Sequence, residues 1–183
     1  MACTIDATVG GAAANSYCTI AEANSYNESH VSGATWAAAT DDAKCQALQT
    51  ATRLLNSYVE WVGSPTTTTQ ALPWPRLYAP WVAGCGAPEN SLYVSSTIIP
   101  SQLKMATSEY ARLLLVNDPT LPSSSDTSGL QSIKASEIQL VFRSPAEASS
   151  SPGKSVVPGS VIAYVDQWMT SVMGGVTRPL VRV

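Results

Sequence analysis

Five prolines, Pro65, Pro73, Pro75, Pro80 and Pro88, fall within residues 64–98. Proline has no N–H to donate and a fixed φ, so neither a helix nor a central strand runs through such a stretch. Regular structure is therefore divided into a block before residue 63 and another after residue 98. The run from Thr66 to Thr69 and the sequence Gly84-Cys85-Gly86 add further loop signals. Trp74 and Trp81 lie inside the segment and Trp61 stands just before it. A long connection that carries tryptophans is expected to pack, against the core or against a partner, rather than to serve as a spacer.

The first block reads as helical. Residues up to Gly10-Gly11-Ala12-Ala13-Ala14 form an arm or turn. Thr19-Ile20-Ala21-Glu22 has the form of a capping box, with Tyr17 outside it as a staple, and predicts a short helix to about Asn27. A second helix is expected from Thr40, with Asp41 and Asp42 favourably placed in its first turn. Ala47, Ala51, Leu54, Leu55 and Tyr58 recur on it at helical spacing, and it should stop before Gly63-Ser64-Pro65.

The second block opens with the clearest helix in the chain. Pro100 suits the first helical position, and Ile99, Leu103, Ala106, Tyr110, Leu113 and Leu114 form one stripe, ended by Asn117-Asp118-Pro119. Over residues 130–143 the period changes: Ile133 and then Ile138, Leu140 and Phe142 predict a β-hairpin turning at Ala135-Ser136-Glu137. Pro158 opens a fourth helix with Val161, Val165, Trp168 and Val172 on one stripe, stopped by Gly174-Gly175. The expected fold is mainly α: a small bundle of about four helices with one β-hairpin and long loops and terminal arms. A single helical domain spans 1–175, interrupted by loops at 64–98, 119–129 and 144–156, and residues 176–183 form a C-terminal tail. That tail, with Arg178, Leu180 and Arg182, reads equally as a frayed end or as a strand offered to a partner sheet.

Charge narrows the function. Apolar residues make up 45% of the chain, and charged residues 13%, about half the usual share of about 25%. Ten Lys and Arg against thirteen Asp and Glu leave a net charge of −3, the wrong balance for a protein whose main task is to neutralise phosphates. The basic residues are also dispersed; Arg76 between Trp74 and Tyr78 is the one local approximation to a basic groove with aromatic platforms, and a structural pin is the better reading of it. No apolar run approaches the ~18 residues of a membrane span, and Met-Ala-Cys-Thr-Ile-Asp lacks the features of a secretory signal. A soluble chain, not exported by the usual route, is expected.

Catalytic chemistry finds little support. Cysteines stand at 3, 18, 45 and 85 without a C-x-x-C pair, and His30 is the one histidine, so no zinc site is expected. Four cysteines allow a disulfide framework, but a chain of this length does not need one to hold its core, and they are expected as reduced, mostly buried thiols. Residues 148–155, Ala-Ser-Ser-Ser-Pro-Gly-Lys-Ser, mimic a phosphate loop with alanine replacing its first glycine. Pro152 removes a needed N–H, and the next helix starts at Pro158 rather than at the Lys-Ser pair, so a linker is the expected structure. There is no G-x-S-x-G elbow, and His30 reads as a surface or capping residue. No enzyme, no cofactor, no metal and no catalytic residue is expected.

One combination has a family resemblance. It starts with Ala14-Asn15-Ser16-Tyr17, Ala21-Glu22-Ala23 and Tyr26, continues through Trp36 and the helix with Ala47, Ala51 and Leu55, and reaches Gln70-Ala71-Leu72-Pro73-Trp74-Pro75-Arg76. Ile99-Pro100, the strand Glu137 to Val141 and the helix after Val157-Pro158 follow. In order and content, over about residues 12–172, this resembles tailed-bacteriophage proteins labelled DnaT-like single-stranded-DNA-binding proteins, a family similar to the head–tail connectors, or adaptors, below the portal. The resemblance implies a helical adaptor protomer in a ring of about twelve copies. Its partners would be itself, the portal protein and a stopper or tail-completion protein, with genomic DNA passing through the lumen and no membrane. The place implied is the virion neck, after assembly in the host cytoplasm. Trp74, Pro75 and Arg76 would be structural or interface residues; Trp81, Arg178, Leu180 and Arg182 join them as interface candidates. The alternative function is a phage replication accessory protein that binds single-stranded DNA.

Overall fold

A computed structural model describes residues 2–83, 92–118, 132–135, 138–141, 156–172 and 176–177. Helix α1, Ile20–Glu28, begins at the expected capping box: Thr19 Oγ1 accepts from the Glu22 N–H at 3.2 Å, and the Glu22 carboxylate accepts from the Thr19 N–H at 2.8 Å. Tyr17, just outside the box, is buried in the core, and its hydroxyl reaches Asn56. Helix α2, Ala34–Ala38, is an addition to the expected set, a single turn whose Trp36 is buried. Gly33 precedes it because a Cβ there would stand 2.2 Å from the Asn27 carbonyl oxygen. Helix α3, Asp41–Tyr58, is capped by Thr40 and buries Ala47, Leu48, Ala51 and Leu55.

Strand β1, Val59–Trp61, continues directly from α3, so the helix ends sooner than Gly63 required. The short strands β2, Ser64–Pro65, and β3, Arg76–Leu77, pair antiparallel and close the loop between them. Gly63, at φ +80°, makes the turn into β2, where a Cβ would stand 2.1 Å from the Leu77 carbonyl oxygen. Helix α4, Ser101–Leu114, has Pro100 as its N-cap, one residue before the expected position. Leu103, Ala106, Thr107, Ser108, Glu109, Tyr110, Ala111 and Arg112 are all buried along it, because α1, α3 and the last helix pack around it.

Strands β4, Ser132–Ala135, and β5, Ile138–Val141, form the expected hairpin, with Ser132 opposite Val141 and Ala135 opposite Ile138. Helix α5, Gly159–Val165, is shorter than expected. A 3₁₀ turn at Asp166–Trp168 breaks it, and strand β6, Met169–Val172, follows. Val172 thus lies on a strand and not on a helical stripe. The physical reason is long-range: β6 pairs antiparallel with β1, Val59 opposite Val172, and this ladder outweighs the local helical period. Strand β7, Val176–Thr177, adds to the other edge of β6, so these two residues of the expected tail join the chain's own sheet, ordered β1-β6-β7.

The cysteine expectation needs correction. Cys3 and Cys45 form a disulfide across 42 residues of sequence, while Cys18 is a buried free thiol. The pairing is possible because the first residues are not a loose arm. The Cys3 N–H donates to Asp42 Oδ1 at 3.0 Å, the Thr4 carbonyl accepts from Gln49 and Asn15, and Ile5 packs against the core. The loops at 119–129 and 144–155, the phosphate-loop mimic, Cys85 and residues 178–183 lie outside the described residues.

Candidate functional site

The segment with the most specific residues folds into a clasp. Trp74-Pro75 is a cis peptide, and Trp74, Pro75 and Arg76 are all buried. Trp74 stands edge-on between Trp61 and Trp168, at ring separations of 5.9 and 5.4 Å, and the Trp168 indole N–H donates to the Pro80 carbonyl at 2.8 Å. Such aromatic pairs contribute about 0.5–1.5 kcal/mol each beyond the area they bury. Gln70 ties the loop from inside, its amide donating to the carbonyls of Leu72 and Pro75.

Arg76 is the centre of the clasp. Its Nε donates to the Val62 carbonyl at 2.7 Å, Nη1 to Pro73 at 3.1 Å, and Nη2 to Trp61 at 3.2 Å and Gly63 at 2.5 Å. A guanidinium suits this task because its planar fork presents five donors at fixed angles. Burial pushes its pKa below the ordinary value for arginine, opposed by the nearby Tyr17 hydroxyl. The side chain therefore joins the 61–63 turn to the 73–76 segment and offers no open cation beside Tyr78.

Tyr78 faces the other way. It is a non-glycine residue with φ +62°, it is exposed, and its ring stands edge-on to Tyr93 at 5.7 Å. Ala79 and Trp81 pair through the backbone with Val94 and Leu92. The ends of the 77–93 excursion are thereby drawn together, and Leu77, Tyr78, Leu92 and Tyr93 are all exposed. Trp81, a candidate from the sequence, packs partly buried against the core. Arg178, Leu180 and Arg182 are outside the described residues. The Tyr78–Tyr93 pair went unrecognised in the sequence because the two tyrosines are fifteen positions apart and no periodicity links them.

The remaining described cations have partners within the chain. Lys104 pairs with Glu22, Arg53 donates to Thr50, and Lys44 lies near Asp41 and the Trp36 ring. Arg112 forks onto Glu109, with Nη2 to Oε1 at 2.7 Å and Nε to Oε2 at 3.2 Å, both residues buried. Tyr26 also donates to Glu109, at 3.3 Å, and bonds Tyr164. Burial, then Tyr164 and Glu109, push the Tyr26 hydroxyl far above its ordinary pKa. His30 belongs to this cluster rather than to a bare surface: Nδ1 accepts from the Ser32 N–H, and Nε2 stands 3.6 Å from Glu109. Among the described residues, no group of three or more His, Cys, Asp or Glu is placed to hold a metal ion. No helix among them is long and apolar enough to cross a membrane.

These features define a mainly α protein with a tryptophan–arginine clasp and small accessory sheets. The chain belongs to the family described as "Putative DnaT-like ssDNA binding protein", which it matches over residues 1–183. The match thus extends beyond the 12–172 span of the resembling motifs, and its description agrees with the alternative function, single-stranded DNA binding. No curated protein and no solved structure matches the chain.

Proposed function

We propose that this chain is a structural virion protein, a head–tail connector protomer that assembles as a ring beneath the portal, joins capsid to tail and lets DNA pass through its lumen. The observation that carries this reading is the disposition of charge. All five Lys and Arg side chains that are described, at 44, 53, 76, 104 and 112, have partners within the chain. Large apolar side chains are exposed instead, among them the edge-on pair Tyr78 and Tyr93, and aromatic residues are enriched where proteins meet while Lys and Glu are depleted. On this reading the protein performs no catalysis and needs no cofactor. Its partners are further copies, the portal and a stopper or tail-completion protein, and assembly takes place in the host cytoplasm. Cytoplasmic thiols stay reduced, so the Cys3–Cys45 bridge then closes only after particle release.

The second reading, a replication accessory protein that binds single strands, is favoured by the family's description. It would place DNA contacts on Lys134, Arg143, Lys154, Arg178 and Arg182, whose side chains are not among those described. Titrating labelled oligothymidylate with the chain at two salt concentrations separates the readings. The adaptor reading expects affinity no tighter than about 10⁻⁴ M with little salt dependence. The second expects a steep fall, of slope about −0.7 per phosphate contacted.

A further inference from the structure

Strand β7 sets the direction of the residues after it. Val176 stands opposite Val172 and Thr177 opposite Ser171, so the chain runs back along β6 toward that strand's first residue, Met169. Two more residues in the same register would place Arg178 opposite Thr170 and Pro179 opposite Met169. Pro179 has no N–H to give the ladder, so pairing would end there, at the edge of the sheet. Leu180, Val181, Arg182 and Val183 remain, and they would pass the point where β6 meets Trp168. From Trp168 two contacts lead to an aromatic pair. The Trp168 indole N–H donates to the Pro80 carbonyl at 2.8 Å, and Pro80 pairs antiparallel with Tyr93. The Tyr93 ring stands edge-on to that of Tyr78 at 5.7 Å, and the two residues are 47% and 66% exposed. Tyr78 also holds φ +62°, a conformation that glycine adopts more readily, so a strained backbone carries this outward ring. Strain of this kind gathers at contact and switch segments.

Reach and chemistry select the occupant of these rings. Four extended residues span about 13 Å, more than the one side chain and one hydrogen bond that separate Trp168 from Pro80. Alternation puts Leu180 and Arg182 on one side of an extended segment, an aliphatic group for a ring edge and a guanidinium for a ring face. A DNA strand fits less well: residues 77–83 and 92–94 contain no Lys or Arg, and Arg76 is turned inward onto four carbonyls. We propose that the C-terminal tail, residues 178–183, docks on the Tyr78 and Tyr93 rings of its own chain, with Leu180 and Arg182 facing them. The chain's own strand β7 aims the tail, which is why the occupant is the same chain and not a second copy. The tail then competes with any partner for the two rings. Only this competition rests on the adaptor reading; the docking stands without it.

The test is NMR on the full chain with isotope-labelled leucine methyls, joined to peptide mass spectrometry after nitration with tetranitromethane. The Leu180 methyls should show NOEs to the ring of Tyr78 or Tyr93. Deuterating the tyrosine rings of the labelled chain, and mixing it with unlabelled chain, should remove those NOEs, because the contact lies within one chain. Leu180→Asp should raise the nitration rate of Tyr78 about fivefold, by putting a charge where an aliphatic group was covered. Arg182→Gln should raise it about twofold, through the lost cation–π contact. Tyr17 and Tyr110 are fully buried and should stay unreactive in every variant, which shows that the fold is intact. NOEs that survive tyrosine deuteration would assign the tail to a second copy and overturn the proposal. The absence of any NOE from Leu180 to either ring, or a Tyr78 nitration rate untouched by both substitutions, would overturn it as well.

Discussion

Replacing Arg76 by alanine removes the donors from four backbone carbonyls in a turn that two loops share. Each buried acceptor left without a donor costs about 1–3 kcal/mol, but the four do not add in full. Some carbonyls relax toward water, and removing a desolvated guanidinium returns part of the loss. A net destabilisation of about 3 kcal/mol follows, toward the lower end for breaking a buried charged contact. For a chain of this size, each kcal/mol lowers Tm by about 2–4 °C, so Tm should fall by about 6–12 °C. Arg76→Lys keeps the charge but not the fork, and should lose about 2 kcal/mol. Arg53→Ala, exposed and bonded only to Thr50, is the control and should stay within about 0.5 kcal/mol. Urea unfolding followed by tryptophan fluorescence reads all three, since Trp61, Trp74 and Trp168 surround the clasp. If Arg76→Ala proved no worse than the Arg53 control, the clasp would not be a structural element, and Arg76 would be available for a partner.

Four further outcomes are expected. Reducing the Cys3–Cys45 bridge should lower unfolding stability by about 2–4 kcal/mol, read as a shift in urea midpoint with and without reductant; an unchanged midpoint would mean that the first residues hold without it. Glu109→Gln leaves Arg112 buried without its carboxylate and should cost about 3–5 kcal/mol by the same assay, partly recovered by adding Arg112→Met. Burial raises the Cys18 thiol to about 11, so mass spectrometry should find it alkylated by iodoacetamide at pH 8 only as fast as the protein unfolds; labelling at the rate of a free thiol would contradict its burial. Burial raises the Glu22 pKa, but the bonds from Lys104 and Thr19 outweigh it, and the net shift is downward. Its contribution is therefore present above the ordinary carboxylate value and lost as pH falls through the lower folded value. Glu22 is largely exposed, so the effect is no more than about 0.5 kcal/mol, and Glu22→Gln should flatten it in acid titrations of stability.

The parts of the fold that were legible are those in which local chemistry and tertiary packing agree. Thr19 and Glu22 satisfy each other's backbone groups within one turn, so α1 starts where its sequence says. The stripe from Leu103 to Tyr110 marks α4 for the same reason. What was not legible depends on partners distant in sequence. Nothing near Val59 or Met169 shows that β1 and β6 will pair across some 110 positions, and Val161, Val165, Trp168 and Val172 keep a helical rhythm through the break. The turn α2 is too short to show a period. Cys3 and Cys45 are joined only because the first residues run beside α3, a fact about packing. At the candidate site, the tryptophans and Arg76 were marked by residue type and loop context, but the direction of Arg76, inward onto four carbonyls, needed the fold. The edge-on pair of Tyr78 and Tyr93 needed it too.

Assembly is the proposed mode of action. Its most direct test is to count this chain in purified virions by quantitative mass spectrometry against the major capsid protein. The account predicts a fixed stoichiometry of about a dozen copies per particle, as a closed ring requires, retained after high-salt washing. Absence from particles, together with tight and salt-sensitive binding of single-stranded DNA by the isolated chain, would contradict it and assign the protein to replication.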